Sequence, residues 1–287
     1  MPELPEVETT VRQIRPLLVG QRIGDVRVRW AGSIVGRQVA GLRRALIGSR
    51  IERVWRRGKF FVFDLCHELR GRSYLVGHLR MSGRLWIESE GRPHDRHARV
   101  EIVLEGDQRL VFADVRKFGR LCLTQRPNEI LGCLGPEPLT PDFTRAWLAR
   151  ALSGRRRQIK PLLLDQTFLA GLGNIYTDEA LFRARIHPLR LAHDVAPAAS
   201  QRLTKSIRQV LAAAIRREGS SFDSYYRTPE GRSGRYQERL LVYGRTGQPC
   251  RRCGTTIQRI VVAQRGTHVC PRCQPTPPAG RCAGGRG

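Results

Sequence analysis

Two Cys-x-x-Cys pairs, Cys250-Arg-Arg-Cys253 and Cys270-Pro-Arg-Cys273, stand sixteen residues apart near the C-terminus. Each pair forms a knuckle, and a β-hairpin between them brings four thiolates into a tetrahedron suited to one Zn2+. Four thiolates close the coordination shell and leave no position for water or substrate. The metal is therefore structural, and any chemistry has to come from elsewhere. A pair of redox dithiols is the competing reading, but such motifs accompany a βαβ pattern that this region lacks. Arg251, Arg252, Arg259 and Arg265 surround the ribbon and can face phosphates.

The second chemical candidate is the opening itself. No Ser/His/Asp, P-loop or dinucleotide signature occurs, and the seven histidines show no metal-ligand spacing. If Met1 is removed, Pro2 presents a secondary amine, which can attack an electrophilic sugar carbon and give an iminium without losing a second proton. Glu3 can supply or accept a proton, and Glu6 can orient the amine or the helix start. Ordinary first-turn chemistry is the alternative, since Pro and Glu are common at helix starts.

Formal net charge is +26 and the isoelectric point near 11.3, so the chain captures polyanions, with counterion release from nucleic-acid phosphates as the usual driving force. An anionic membrane is the competing partner; the longest apolar stretches, such as Val210 to Ile215, fall far short of the roughly 20 residues a span needs. The acidic opening lacks an apolar signal region, which implies a cytosolic or nucleoid location. Cys66, Cys122 and Cys133 lie in apolar surroundings and read as buried thiols in a reducing compartment, while Cys282 stands alone in a Gly/Pro tail. Only four of the 51 basic residues are lysine: Lys59, Lys117, Lys160 and Lys205. A lysine kept among so many arginines marks a site that needs a compact, titratable ammonium.

The elements that must hold these groups follow from periodicity. Residues up to about 17 read as a helix, with Pro5 in the first turn and Val7, Val11, Ile14 and Leu18 at helical spacing. The period then changes to two: Val26/Val28/Trp30, Phe61/Phe63/Leu65, Val100/Ile102/Leu104 and Leu121/Leu123 predict a β-sandwich or barrel. Gly and Pro crowd residues 131–142, which suits an interdomain linker. Beyond it, Leu203, Ile207, Val210, Leu211 and Ala214 form a helical stripe, and Pro161 can open another helix. Residues 219–234 have no period and read as a functional loop. The expected organisation is a catalytic domain over 1–133, a linker over 134–141, a helical DNA-binding domain over 142–240, a zinc ribbon over 241–274 and a disordered tail over 275–287.

The opening Met1-Pro-Glu-Leu-Pro-Glu-Val-Glu-Thr9 resembles that of bacterial formamidopyrimidine-DNA glycosylases. Six further stretches resemble that family in order: Arg57–Phe60, His78–Gly83, Asp114–Gly119, Leu134–Leu139, Ile159–Pro161 and Gly173–Tyr176. The resemblance extends to Cys273. It implies an α+β multidomain fold: an N-terminal β-sandwich with an N-terminal helix, a C-terminal helical domain of the helix-two turns-helix type, and the four-cysteine zinc ribbon. It also implies a monomer acting on damaged double-stranded DNA, excising 8-oxoguanine and formamidopyrimidines and then nicking the abasic strand by β,δ-elimination.

Residue by residue, Pro2 matches the nucleophile, Glu3 the group that handles protons at the sugar, and Glu6 a supporting carboxylate. Lys59 and Lys160 match functional lysines that contact phosphates and the damaged site. Met81, Arg116 and Phe118 match the trio inserted where the nucleotide is extruded, a step that costs a few kcal/mol of unstacking. His97, Arg156 and Asn174 fall where relatives contact DNA. Arg265 matches an arginine that grips phosphate and assists the second elimination. The loop Glu230-Gly231-Arg232-Ser233-Gly234-Arg235-Tyr236 departs from the family pattern at both ends, which puts the ranking of lesions in doubt. Two alternatives remain: an endonuclease VIII-like enzyme for oxidised pyrimidines, against which Leu4 argues, and a non-catalytic zinc-ribbon DNA-binding protein.

Overall fold

The computed structural model describes residues 2–222 and 226–277. The part of the expected tail from residue 278 onward, Cys282 and three residues of the 219–236 loop lie outside the described residues. Helices and strands are numbered in chain order. The chain divides into two compact units: Met1–Glu137 with Leu169–Gly171 and Leu211–Arg239, and Pro138–Phe168 with Leu172–Val210 and Leu240–Gly287.

The first unit begins with α1 (Leu4–Leu18), capped at Glu3, with Pro5 in its first turn. Val7, Val11, Ile14 and Leu18 are fully buried, as their spacing predicts. Two sheets follow. One has strand order β1 (Ile23–Val28), β7 (Ala98–Leu104), β8 (Gln108–Asp114), β6 (Gly83–Ser89), all antiparallel. The other runs β2 (Ile34–Val35), β9 (Arg120–Thr124), β5 (Gly71–His78), β4 (Phe60–His67), β3 (Arg50–Arg57), with only β2 and β9 parallel. Phe61, Phe63 and Leu75 of the second sheet share a core with Leu85, Val100, Ile102, Leu110 and Phe112 of the first, and α1 joins it. Each such side chain contributes about 1.5–3 kcal/mol on burial. Of the sandwich or barrel that the alternation predicted, this unit is the sandwich, with the N-terminal helix that the apolar spacing predicted. The short α2 (Val39–Leu46) and α3 (Asn128–Leu131) complete the helices of this unit before the boundary.

Two expectations need correction. Trp30 does not continue β1: the Arg29 and Trp30 amides both donate to the Arg99 carbonyl, at 2.9 and 3.2 Å, which breaks the ladder and leaves Trp30 exposed. The three thiols expected in the interior are not buried. Cys133 is exposed beyond the end of α3, and Cys66 and Cys122 are half-buried, because apolar neighbours in sequence alternate faces in a strand. Residues 132–142 form neither helix nor strand, as their composition predicts, and the Arg57 guanidinium donates to the Leu134 and Gly135 carbonyls while Glu137 is buried.

The second unit holds α4 (Arg145–Ser153), α5 (Ile159–Leu164), α6 (Asn174–Ala184) and most of α7 (Pro197–Arg216). Helix α5 begins at Ile159, two residues before Pro161, which therefore sits in its first turn. A β-hairpin, β10 (Gln258–Val262) paired with β11 (Arg265–Val269), completes it. Among the described residues no helix is long and apolar enough to cross a membrane.

Candidate active site and nucleic-acid interface

Pro2, Glu3 and Glu6 are all buried at the start of α1. A reciprocal capping box holds them: the Glu3 side chain accepts from the Glu6 amide, and the Glu3 amide donates to Glu6 Oε2 at 2.8 Å. The other oxygen, Glu6 Oε1, accepts the Ser220 amide at 2.9 Å. Gly219, at φ +78°, makes this approach possible, since a Cβ there would lie 2.7 Å from Glu6 Oε1. On the other side the Leu4 amide donates to the Gly171 carbonyl at 3.1 Å, and the fully buried Leu4 side chain fills the space a Cβ at Gly171 would need. Two carboxylates thus stand beside the residue expected to be the nucleophile, fixed from three separate chain segments.

Lys59 lies in the tight turn between β3 and β4 and is nearly buried. That turn is anchored by Glu137, which accepts from the Gly58 amide and pairs with both terminal nitrogens of Arg56 at 2.8 Å. Arg56 also donates to Glu8 of α1 at 2.7 Å, so one guanidinium joins the N-terminal helix to the turn that carries Lys59. Burial pushes the Glu8 carboxyl up, but Arg56 and then Arg12 outweigh it and hold it below the usual range. Near Lys59, burial drives the His78 imidazole down to about 3, with the charges of Arg80 and Lys59 adding to the shift. Its Nδ1 accepts the Arg80 amide at 2.8 Å, so the ring is neutral with its proton on Nε2.

Met81, Arg116 and Phe118 are exposed, two of them large apolar side chains in contact with solvent. The Arg116 guanidinium lies 4.8 Å from the Phe118 ring centre. Asp114 shapes this turn, accepting from Ser82 Oγ at 2.5 Å, the Arg116 amide at 3.2 Å and the Gly119 amide at 2.6 Å. Lys117 takes a left-handed conformation, φ +60°, and lays its ammonium 4.4 Å from the Trp30 ring centre. His97 is half-buried, its carbonyl accepting the Asp114 amide at 3.0 Å.

In the second unit Lys160 is fully buried and pairs with Asp178 at 2.6 Å, while also donating to Thr267 Oγ1 at 2.7 Å. Asp178 accepts the His268 amide at 2.9 Å. Lys160 therefore ties α5, α6 and β11 together. Asn174 opens α6 and its amide donates to the Gly266 carbonyl at 2.9 Å, beside the exposed Arg265. Arg156 is exposed before α5, and Arg251, Arg252 and Arg259 are exposed around the hairpin. The Sγ atoms of Cys250, Cys253, Cys270 and Cys273 lie within 4.8 Å of one another, with Cys253 3.5 Å from Cys270 and 3.6 Å from Cys273. Tetrahedral Zn–S bonds of about 2.3 Å require sulfurs about 3.8 Å apart, so the set fits one zinc ion. A buried carboxylate at Glu179, its pKa raised by burial, gathers the amides of Leu241, Val242 and Tyr243 below the cluster.

Sequence reasoning did not single out Glu137, His78, Asp178 or Glu179. Glu137 and His78 lay inside stretches that carried the resemblance, which was the available signal; the two carboxylates of α6 had none beyond being acidic in an apolar helix. In the departing loop, Tyr236 is buried and its amide donates to the Gly219 carbonyl at 2.9 Å, so the altered residue serves as an anchor.

A buried proline at the helix start flanked by two carboxylates, exposed arginines around a hairpin and a four-cysteine cluster that fits zinc define a zinc-binding nucleic-acid-processing protein. Three family models match in chain order: the formamidopyrimidine-DNA glycosylase N-terminal domain over residues 1–121, its H2TH domain over 134–225, and a zinc finger found in FPG and IleRS over 247–276. The formamidopyrimidine-DNA glycosylase of Symbiobacterium thermophilum is 47% identical, the match covering 96% of this chain and 90% of that one. That of Geobacillus kaustophilus is 43% identical over 96% and 100%. A crystal structure of a Lactococcus lactis FPG mutant with Fapy-dG containing DNA superposes with a TM-score of 0.89 at 37% identity, covering 96% of this chain and 100% of that one. The chain belongs to the formamidopyrimidine-DNA glycosylase family.

Proposed function

We propose that this protein is a bifunctional DNA glycosylase and abasic-site lyase that excises oxidised purines, 8-oxoguanine and formamidopyrimidines, from duplex DNA. The observation that carries the reading is the pair of buried carboxylates, Glu3 and Glu6, fixed at the helix start beside Pro2. Burying two acids is costly even within a capping box, and a proton-handling role at an amine nucleophile gives that placement a use. Once Met1 is removed, the Pro2 amine attacks C1′, the glycosidic bond breaks, and the base leaves with its electron pair and a proton. Opening of the sugar, with Glu3 passing a proton to O4′, leaves an iminium between Pro2 and C1′. Loss of a C2′ proton expels the 3′ phosphate, and a second elimination, assisted by Arg265, expels the 5′ phosphate.

Lys59 serves the phosphate beside the lesion, and His97, Arg156 and Asn174 grip the backbone. Met81, Arg116 and Phe118 fill the gap left by the extruded nucleotide. Lys160, being enclosed, acts by holding the hairpin that presents Arg265. Zinc, when bound by the four cysteines, supplies structural rigidity to that hairpin and no chemistry. The division into catalytic domain, linker, helical domain with a lesion-capping loop near 219–236, and ribbon is carried with this reading, as are a monomeric state and a place in the bacterial cytosol or nucleoid.

Borohydride trapping tests it. With an oligonucleotide containing 8-oxoguanine the protein forms a covalent adduct, and Pro2→Gly loses most of it. DNA binding without any adduct would overturn the catalytic reading, and equal trapping by Pro2→Gly would move the nucleophile to a lysine.

A further inference from the structure

Arg109 lies on β8, between Val103 of β7 and Glu88 of β6, and its side chain points away from the sandwich core that Leu110 and Phe112 enter. An arginine on the outer face of a sheet ordinarily reaches solvent. Arg109 is 1% exposed. The cover is the connection from β6 to β7, and the guanidinium holds it from beneath: it donates to the carbonyls of Glu90 at 3.1 Å, Arg92 at 2.7 Å and Pro93 at 3.2 Å. Glu88 balances its charge at 2.8 Å.

The next residues continue the same fastening. His94 Nδ1 lies 2.7 Å from the Glu101 carboxylate, which the Arg29 guanidinium also reaches at 2.7 Å. At the far end of the connection the His97 amide donates to Asp95 Oδ1 at 2.6 Å. The main chain from Glu90 to Pro93 is thus fixed by one buried fork of donors, which a lysine cannot reproduce, and Asp95 carries the fastening on to the His97 amide.

We propose that Arg109 is a positioning residue for DNA binding: it sets the path of the 90–97 connection and thereby the placement of His97 against the phosphate backbone. The inference rests on the reading of His97 as a DNA contact. In a chain whose arginines mostly meet solvent, this one acts inward, on three carbonyls of a segment that has no ladder of its own.

The test is a double-mutant cycle of Arg109→Met and His97→Ala, read as Kd for a duplex carrying a tetrahydrofuran abasic analogue, with hydrogen exchange of residues 90–97. Arg109→Met is expected to raise Kd about tenfold and to speed exchange within 90–97, while single-turnover trapping at saturating DNA stays within about twofold. In the His97→Ala background, the same substitution should add less than about twofold. Multiplying effects, or unchanged exchange in 90–97, would overturn the proposal. Arg109→Lys, which keeps a charge beside Glu88, is read by the same two criteria if the methionine variant lacks zinc or a folded signal. A wild-type protein that binds but does not trap would defeat the catalytic reading alone, because the cycle is read from binding.

Discussion

The Glu6 carboxylate joins two residues that are far apart in the chain: one oxygen takes the Glu3 amide at 2.8 Å and the other takes the Ser220 amide at 2.9 Å. The helix start beside Pro2 and the base of the 219–236 loop are therefore held by one side chain.

Glu6→Gln removes half of that bridge, because the new amide nitrogen faces a backbone N–H. A buried donor left unmatched costs about 1–3 kcal/mol. Single-turnover trapping is expected to slow by about tenfold or more, with duplex affinity changing much less. Unchanged trapping would show that the loop base and the nucleophile do not depend on Glu6.

Acid stability reports on His78. Its native value is pushed down to about 3, whereas an unfolded histidine titrates near 6.5. Between those values the unfolded chain binds the proton and the native protein does not, so stability falls as pH drops from about 6.5 towards 3, by up to about 1.4 kcal/mol per pH unit. His78→Gln should flatten that slope in denaturant titrations at pH 7, 5.5 and 4. An identical slope would mean that other groups carry the acid sensitivity.

Lys160 and Arg156 should separate cleanly, although both fall at positions expected to meet DNA. Lys160→Met leaves Asp178 buried without its ammonium and is expected to cost about 3–5 kcal/mol of stability. Arg156→Ala is expected to change stability by less than about 0.5 kcal/mol. It should instead reduce the slope of log affinity against log salt by about one ion. Thermal melts and salt-titrated binding of undamaged duplex distinguish the two.

Removing zinc should unmake the hairpin. Structural zinc contributes on the order of 10 kcal/mol to such modules, and the apolar cluster here is small, centred on Phe182, Val242 and Ile257. Chelation, or Cys273→Ser, should abolish tight duplex binding while the β-rich circular dichroism of the sandwich persists. Retained affinity with no metal by atomic emission would show that the ribbon is not needed for DNA binding.

Much of the site was legible because it is local. The zinc ligands follow from a spacing, the first helix from Pro5 and the Val7, Val11, Ile14 and Leu18 interval, and the strands from alternation in Phe61/Phe63/Leu65 and Val100/Ile102/Leu104. Scarcity of lysine marked Lys59, Lys117, Lys160 and Lys205 alike, the resemblance then favoured Lys59 and Lys160, and the structure sets the Lys117 ammonium against Trp30. Misreadings arose where local pattern was used for burial: Cys133 sits among apolar residues in sequence and is exposed in space.

What the chain determined by itself was which elements form and which residue types stand ready: a proline behind the first methionine, two acids, four thiolates and a wealth of arginine. Tertiary structure decided what each charge does. Lys160 is enclosed because Asp178 and Thr267 meet it, Glu137 is an anchor because Gly58 and Arg56 reach it, and Arg109 turns inward because three carbonyls need a donor. These are pairings between segments distant in sequence, and a buried charge is tolerable only when its partner arrives from elsewhere in the fold. No periodicity encodes that arrival.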